Sequence, residues 1–136
     1  MNLVIWGAGG HGKQVCEVAL ACGLTEIVFV DDFAKGEHHG RPIAGRADSL
    51  ASLVRAGFTH FVIAIGDNEI RASCFARAQA AGLAPATLIH PSAAVSPTAK
   101  LGSGTVVMPG AIVNASAVTG ANCIVNSGAV IEHDCR

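Results

Sequence analysis

Aromatic and charged side chains are scarce in this chain: there is no tyrosine, one tryptophan and five phenylalanines, and Asp, Glu, Lys and Arg make up only 14% of residues. The net charge is near -1 with no cluster of lysine or arginine. No field therefore exists to gather a phosphate backbone, and nucleic acid is not an expected partner. No apolar run reaches bilayer-spanning length, and the N-terminus enters Leu3-Val4-Ile5-Trp6 without a basic leader or a small-residue cleavage site. The expectation is a cytoplasmic protein with no membrane insertion. The five cysteines (Cys16, Cys22, Cys74, Cys123, Cys135) are scattered, without the paired spacing of a zinc site. They read as reduced, mostly buried small apolar residues, and no metal is expected. What the chain does have is 51% apolar residues and 16 glycines, which suits a buried core with recurrent tight turns. Its 136 residues suffice for one ordinary domain, or for a compact domain with a repeat module attached.

Residues 1–90 alternate strand and helix signals. Leu3 to Trp6 is a short apolar strand that ends in Gly7-Ala8-Gly9-Gly10-His11-Gly12-Lys13; residues 14–22 then place Val15, Val18, Ala19 and Cys22 on one helical stripe. Residues 26–32 read as a second strand closed by Asp31 and Asp32, and 48–56 as a helix stopped by Gly57. Residues 60–65 form a third strand running into Gly66-Asp67-Asn68, where Asp67 or Asn68 caps a helix over 69–81. Residues 86–90 add a fourth strand to the same sheet, and 35–46 is a polar loop whose His38 and His39 lack a third ligand for a metal. This pattern predicts a small parallel α/β sheet with right-handed crossovers.

Gly7, Gly9 and Gly12 satisfy the G-x-G-x-x-G spacing between strand and helix, with Asp31 and Asp32 following after the second strand. Glycines let backbone approach phosphate oxygens, helix-start N–H groups point at the anion, and a carboxylate after the second strand accepts a ribose hydroxyl. The competing reading is a glycine turn needed only for tight helix–sheet packing. No second βαβ half follows, which favours a mononucleotide or nucleotide-sugar over NAD. Within and beside the loop, His11 faces either a ligand or solvent, Lys13 either contacts phosphate or covers the helix start, and Arg71 makes a ligand or interface contact or is solvated.

Beyond residue 90 the chain repeats in sixes. The first place of each hexad is Val95, Leu101, Val107, Val113, Thr119, Val125, Ile131, and the fifth is Ala99, Thr105, Ala111, Ala117, Cys123, Ala129, Cys135. One branched and one small side chain per six residues fill the interior of a three-sided solenoid, with Gly, Asn, Pro or Ser at the corners. The sixth place (Lys100, Val106, Ile112, Val118, Ile124, Val130, Arg136) faces outward, so its apolar members require cover from another subunit or from the first domain. Three equivalent faces make a homotrimer the expected assembly. The predicted architecture is a small Rossmann-like parallel α/β domain (residues 1–90) followed by the start of a left-handed parallel β-helix (residues 91–136).

Together the two halves resemble the NeuD/PglD-like sugar acetyltransferases. The likeness rests on residues 7–13, Asp31-Asp32, Ile65-Gly66-Asp67-Asn68 with Arg71, Ile89-His90-Pro91-Ser92-Ala93, and the run Val125-Asn126-Ser127-Gly128-Ala129-Val130-Ile131-Glu132-His133-Asp134-Cys135. The resemblance implies transfer of an acetyl group from acetyl-CoA to an amino or hydroxyl group of a nucleotide-linked sugar, such as a UDP-4-amino sugar. It further implies acceptor binding by the first domain, through Gly7, Gly9, Gly10, His11, Gly12, Lys13, Asp31, Asp32, Gly66, Asp67, Asn68 and Arg71. The resemblance also places the coenzyme between subunits of a trimer, with Asn126 and Gly128 among its contacts and most of the rest expected after Arg136. His133 matches the family's general base and Asp134 the acid that orients it. A non-catalytic nucleotide-sugar-binding or trimeric scaffold module is the alternative, and the residues do not choose between N- and O-acetylation.

Overall fold

The computed structural model describes all residues, Met1–Arg136. The first unit is a six-stranded sheet in the order β3-β4-β2-β1-β5-β6, built from β1 (Leu3–Trp6), β2 (Ile27–Val30), β3 (Glu37–His38), β4 (Arg41–Gly45), β5 (His60–Ile63) and β6 (Ala84–Pro85). Every pairing is parallel except the β3–β4 hairpin. The strands β1, β2 and β5 are near-continuous apolar runs because helices cover both faces of the sheet. α1 (Gly10–Ala21) packs its Val15, Cys16, Val18 and Ala19 on one face, with Leu3, Ile5, Ile27, Phe29 and Val62. On the other face α2 (Leu50–Arg55), entered through a short 3-10 turn, and α3 (Asn68–Ala80) meet Val4, Trp6, Val30, Phe61 and Ile63. The Asp67 carboxylate caps α3 by accepting the Ile70 N–H at 2.9 Å, one of the two caps expected. No helix is long and apolar enough to cross a membrane.

The second unit is a coil whose strands stack in parallel every eighteen residues. β7 (Leu88–Ile89), β9 (Val106–Val107) and β11 (Ile124–Val125) form one side; β8 (Ala94–Val95), β10 (Ile112–Val113) and β12 (Val130–Ile131) form the next. The third is a Lys100–Val118 bridge continued by Val118 N–H to Cys135 O. The interior holds the expected columns: Val107, Val113 and Val125 with Ala111 and Ala117 are buried, and Val95, Ala99, Leu101, Ala129 and Ile131 pack around them. Six of the seven corners turn through a positive φ at the fourth hexad place, Thr98 being the exception: Gly104, Gly110 and Gly128, but also Ser116, Asn122 and Asp134 near +60°.

Three sequence expectations are corrected. The segment 35–46 is not a bare loop: it contains the β3–β4 hairpin, which extends the sheet edge beside β2. Residues 86–90 do not supply the sheet's last strand, because Ala84–Pro85 pairs with β5 while Leu88–Ile89 pairs with β9 as the first rung of the coil. The cysteines divide: Cys16 and Cys74 are buried and burial raises their thiol pKa values, but Cys22 and Cys135 are exposed, the latter on the last rung.

The two units share one core. Leu88, Val106 and Met108, all facing outward from the coil, are buried in the cluster that contains Val15, Cys16 and Ala19 of α1. α1 is therefore sandwiched between sheet and coil, and the sixth-place column finds part of its cover in the first unit. Further along that column Ile112 and Val130 stay 38% and 53% exposed, and the two are stacked in register.

Candidate acceptor cleft and the distant histidine pair

The glycines of the loop fall into two groups. Gly7 has φ +122, and a Cβ there would meet the Ala64 carbonyl; a Cβ at Gly12 would overlap the Gly7 carbonyl oxygen. These two are required by helix–sheet packing alone. Gly9, Gly10 and Gly66, by contrast, have nothing within 4 Å of an added Cβ and no positive φ. The fold does not need glycine at those three positions, which leaves close approach by something from outside as the use of a missing side chain.

Gly66 borders a cleft of about 420 Å³ that is also lined by His11, Asn68, Arg71, Ile124 and Asn126. First domain and coil thus meet in one cavity. The His11 Nε2 is buried without a hydrogen-bond partner, and burial, followed by the positive charge of Arg71, lowers the His11 pKa. His11 is consequently a neutral imidazole at neutral pH, facing a concave polar site.

Arg71 lines the cleft and is also tied to the surrounding backbone. Its Nε donates to Asn122 O at 2.9 Å, Nη1 to Ile65 O and Gly66 O at 3.1 and 3.0 Å, and Nη2 to Asn68 Oδ1 at 2.6 Å. Asn122 Nδ2 returns a bond to Arg71 O at 3.1 Å. The guanidinium locks the 65–68 loop to a coil corner, so its part is to hold the cleft walls together. Asp31 and Asp32 are likewise engaged with backbone. Asp31 accepts the Ala8, Phe33 and Ala34 N–H groups at 2.8 Å each. Burial pushes its carboxyl up, but those three bonds and nearby His38 outweigh that and hold it below the usual range. One Asp32 oxygen accepts the Ala47 N–H at 2.9 Å. Lys13 is exposed on α1.

Two features were not singled out from the sequence. Phe33 is 94% exposed, and beside it a slot of about 240 Å³ runs between Trp6, Ile65, Ile70, Cys74, Asp31 and Asp32. An aromatic directly after the Asp31-Asp32 pair was the available signal.

His133 and Asp134 lie elsewhere. They sit on the prism edge after β12, whereas Asn126 and Gly128 occupy the edge after β11. His133 Nδ1 bonds Asp134 Oδ2 at 2.8 Å, with both side chains about three-quarters exposed. That bond, then the Asp134 charge and more weakly Glu132, raises the His133 pKa. Glu132 is itself held by Asn114 Nδ2 one rung away, at 3.2 Å. Asp134 reaches this position with φ +61, a left-handed conformation that Asp tolerates better than most side chains. Asn126 Oδ1 accepts the Ser127 N–H at 2.9 Å, and Gly128 turns the corner at φ +67. A mostly apolar hollow of about 500 Å³ lies among Cys123, Val125, Ala129 and Ile131 of the coil. It adjoins the polar cleft, with which it shares Ile124 and Asn126.

The chain is 42% identical over 107 residues to UDP-N-acetylbacillosamine N-acetyltransferase of Bacillus subtilis (strain 168), covering 74% of this chain and 48% of that protein. Its structure is similar to the histidine-to-asparagine mutant of perosamine N-acetyltransferase from Caulobacter crescentus in complex with CoA and GDP-perosamine (TM-score 0.97, 39% identity, 100% of this chain and 65% of that one). It is also similar to the acetyltransferase domain of PglB from Neisseria gonorrhoeae FA1090 in complex with acetyl coenzyme A (TM-score 0.92, 45% identity, 98% and 65%). The chain thus spans between about half and two thirds of the length of these relatives. The PglD N-terminal domain model matches residues 2–78, and the chain belongs to that family.

Proposed function

We propose that this chain is the acceptor-binding and coil-initiating part of an enzyme that moves acetyl from acetyl-CoA to the amino group of a nucleotide-linked sugar. The observation that carries the reading is the cleft in which a neutral, unpartnered His11 faces Gly66, Asn68 and Asn126. The Gly9-Gly10 backbone and the Phe33 slot support a nucleoside diphosphate along the first domain, the base stacking on Phe33 and its diphosphate near the start of α1. Of the relatives named above, one carries a UDP-linked sugar in its name and one is in complex with GDP-perosamine, and both nucleotides fit this chemistry. The coil continues as a left-handed β-helix, and acetyl-CoA lies along it with Asn126 and Gly128 among its contacts.

His133 serves as general base. Because its Nδ1 faces the Asp134 carboxylate, the proton resides on Nδ1 and the Nε2 lone pair is free. As the sugar amine attacks the thioester carbonyl, Nε2 takes the proton that the nitrogen sheds, Asp134 stabilises the imidazolium, and the imidazolium returns that proton to sulfur as the C–S bond breaks and the coenzyme leaves as its thiol. His133 does not line the His11 cleft and stands on a different prism edge, which favours a base supplied by another copy. A homotrimer supplies one: the exposed Ile112 and Val130 seat against a neighbouring copy, and the His133 of one copy enters the cleft region of the next.

The test is acetyl transfer by the full-length protein, with thiol release measured against UDP-4-amino sugar, GDP-perosamine and their hydroxyl counterparts. Turnover on an amino acceptor is expected. Binding of nucleotide-sugar without thioester cleavage on any acceptor would leave a non-catalytic scaffold instead.

A further inference from the structure

We propose that His38, on the β3–β4 hairpin, is a positioning residue for the acceptor: it fixes the Gly9–Gly10 peptide so that the Gly10 N–H faces the bound nucleotide-sugar. The proposal rests on the acceptor reading above. His38 Nε2 lies 3.0 Å from the Gly9 carbonyl oxygen. A carbonyl only accepts, so Nε2 carries the proton and donates. The same oxygen accepts the Lys13 N–H at 3.0 Å, the bond that opens α1. In a trans peptide the carbonyl and the following N–H point in opposite directions. Holding Gly9 C=O toward His38 therefore sets the aim of the Gly10 N–H on the other side.

A peptide between two glycines has little intrinsic preference to resist flipping, and no side chain lies within 4 Å of where a Cβ would stand on either residue. The Lys13 N–H holds the Gly9 carbonyl from within α1, and a second restraint comes from outside the loop. The hairpin supplies it with a well-anchored ring: His38 packs edge-on against the fully buried Phe29, centroids 4.9 Å apart at 82°. Its neighbour His39, in the hairpin turn at φ +49, reaches Glu17 Oε1 of α1 at 3.2 Å. On the other side of the loop the Asp31 carboxylate holds the Ala8 N–H. The loop is gripped at consecutive residues by an acceptor and a donor, and a hairpin that extends a sheet edge acquires a purpose.

Steady-state kinetics of the full-length protein with His38→Phe and His38→Gln test this, using GDP-perosamine and a UDP-4-amino sugar as acceptors. Phe keeps the edge contact and loses the donor; Gln keeps an N–H. The expected result for His38→Phe is an acceptor KM raised about fivefold, the ratio that one ordinary hydrogen bond is worth, with kcat and the acetyl-CoA KM unchanged. His38→Gln recovers most of the acceptor KM. An unchanged acceptor KM in His38→Phe, an equal loss in all three parameters, or no recovery with Gln overturns the proposal while the acceptor reading stands. A wild-type protein that takes neither nucleotide-sugar overturns both.

Discussion

Replacing Gly10 and Gly12 by alanine, one at a time, separates what the fold needs from what a ligand needs. At Gly12 the added methyl overlaps the Gly7 carbonyl oxygen and lies 3.4 Å from the Phe29 ring. Gly7 cannot retreat, because its own Cα side is already against the Ala64 carbonyl. Backbone must move on one of three elements, and an overpacked site of this kind costs about 3 kcal/mol. For a chain of this size that corresponds to a fall in Tm of roughly 10 °C. At Gly10 the methyl meets nothing within 4 Å and replaces glycine in the first turn of α1, so stability is unchanged or rises by up to about 0.5 kcal/mol. Nucleotide-sugar affinity should nonetheless fall roughly tenfold or more, since the methyl occupies the path of the ligand. Differential scanning calorimetry and titration calorimetry with UDP- and GDP-linked sugars read the two effects separately. The reasoning is refuted if Gly10→Ala destabilises the fold as Gly12→Ala does, or if it binds nucleotide-sugar as tightly as the parent.

Arg71→Ala should lower stability by about 2–3 kcal/mol in urea unfolding, since it strips several charge-assisted bonds from the cleft wall. Arg71→Lys should recover little of this, because an ammonium cannot reproduce the guanidinium fork. In Asp134→Asn the carboxylate that raises the His133 pKa is gone, so that pKa falls toward its ordinary 6.5. A base active only when neutral then keeps its activity to lower pH, and the acid limb of kcat/KM moves to lower pH while its plateau drops about tenfold or more. Ser116→Gly, at φ +61 in an exposed corner, should stabilise the coil by about 0.5–1 kcal/mol through relief of left-handed strain, measured by thermal unfolding.

The elements legible in the sequence were those with their own periodicity. β1, β2 and β5 read clearly because strands covered on both faces are nearly continuous in apolar residues, and the inward columns of the coil declared themselves through seven hexads. The β3–β4 hairpin did not, because a short hairpin at the sheet margin accepts charges and proline: Glu37 on the edge strand and Arg41 and Pro42 at the start of β4 imitate a loop. Leu88 and Ile89 went to the wrong sheet although the hexad register, counted backward from Val95, already gives Ile89 a first place and Leu88 a sixth. The Arg71–Asn122 clasp joins residues fifty-one apart, and neither carries a local signal. The corner column was half legible. Glycine marks it at 104, 110 and 128, while Ser116, Asn122 and Asp134 adopt the same left-handed turn. That is how Asp134 comes to stand against His133.

The most direct test of the account mixes two inactive full-length variants, His133→Ala and a cleft variant such as Gly10→Trp, after separate purification, unfolding and joint refolding. If base and acceptor cleft come from different copies, hybrid trimers contain some sites with both parts intact, and acetyl transfer reappears at a substantial fraction of the wild-type rate. If His133 serves the cleft of its own chain, no hybrid site is whole and the mixture stays as inactive as its components, which would contradict the shared-site account.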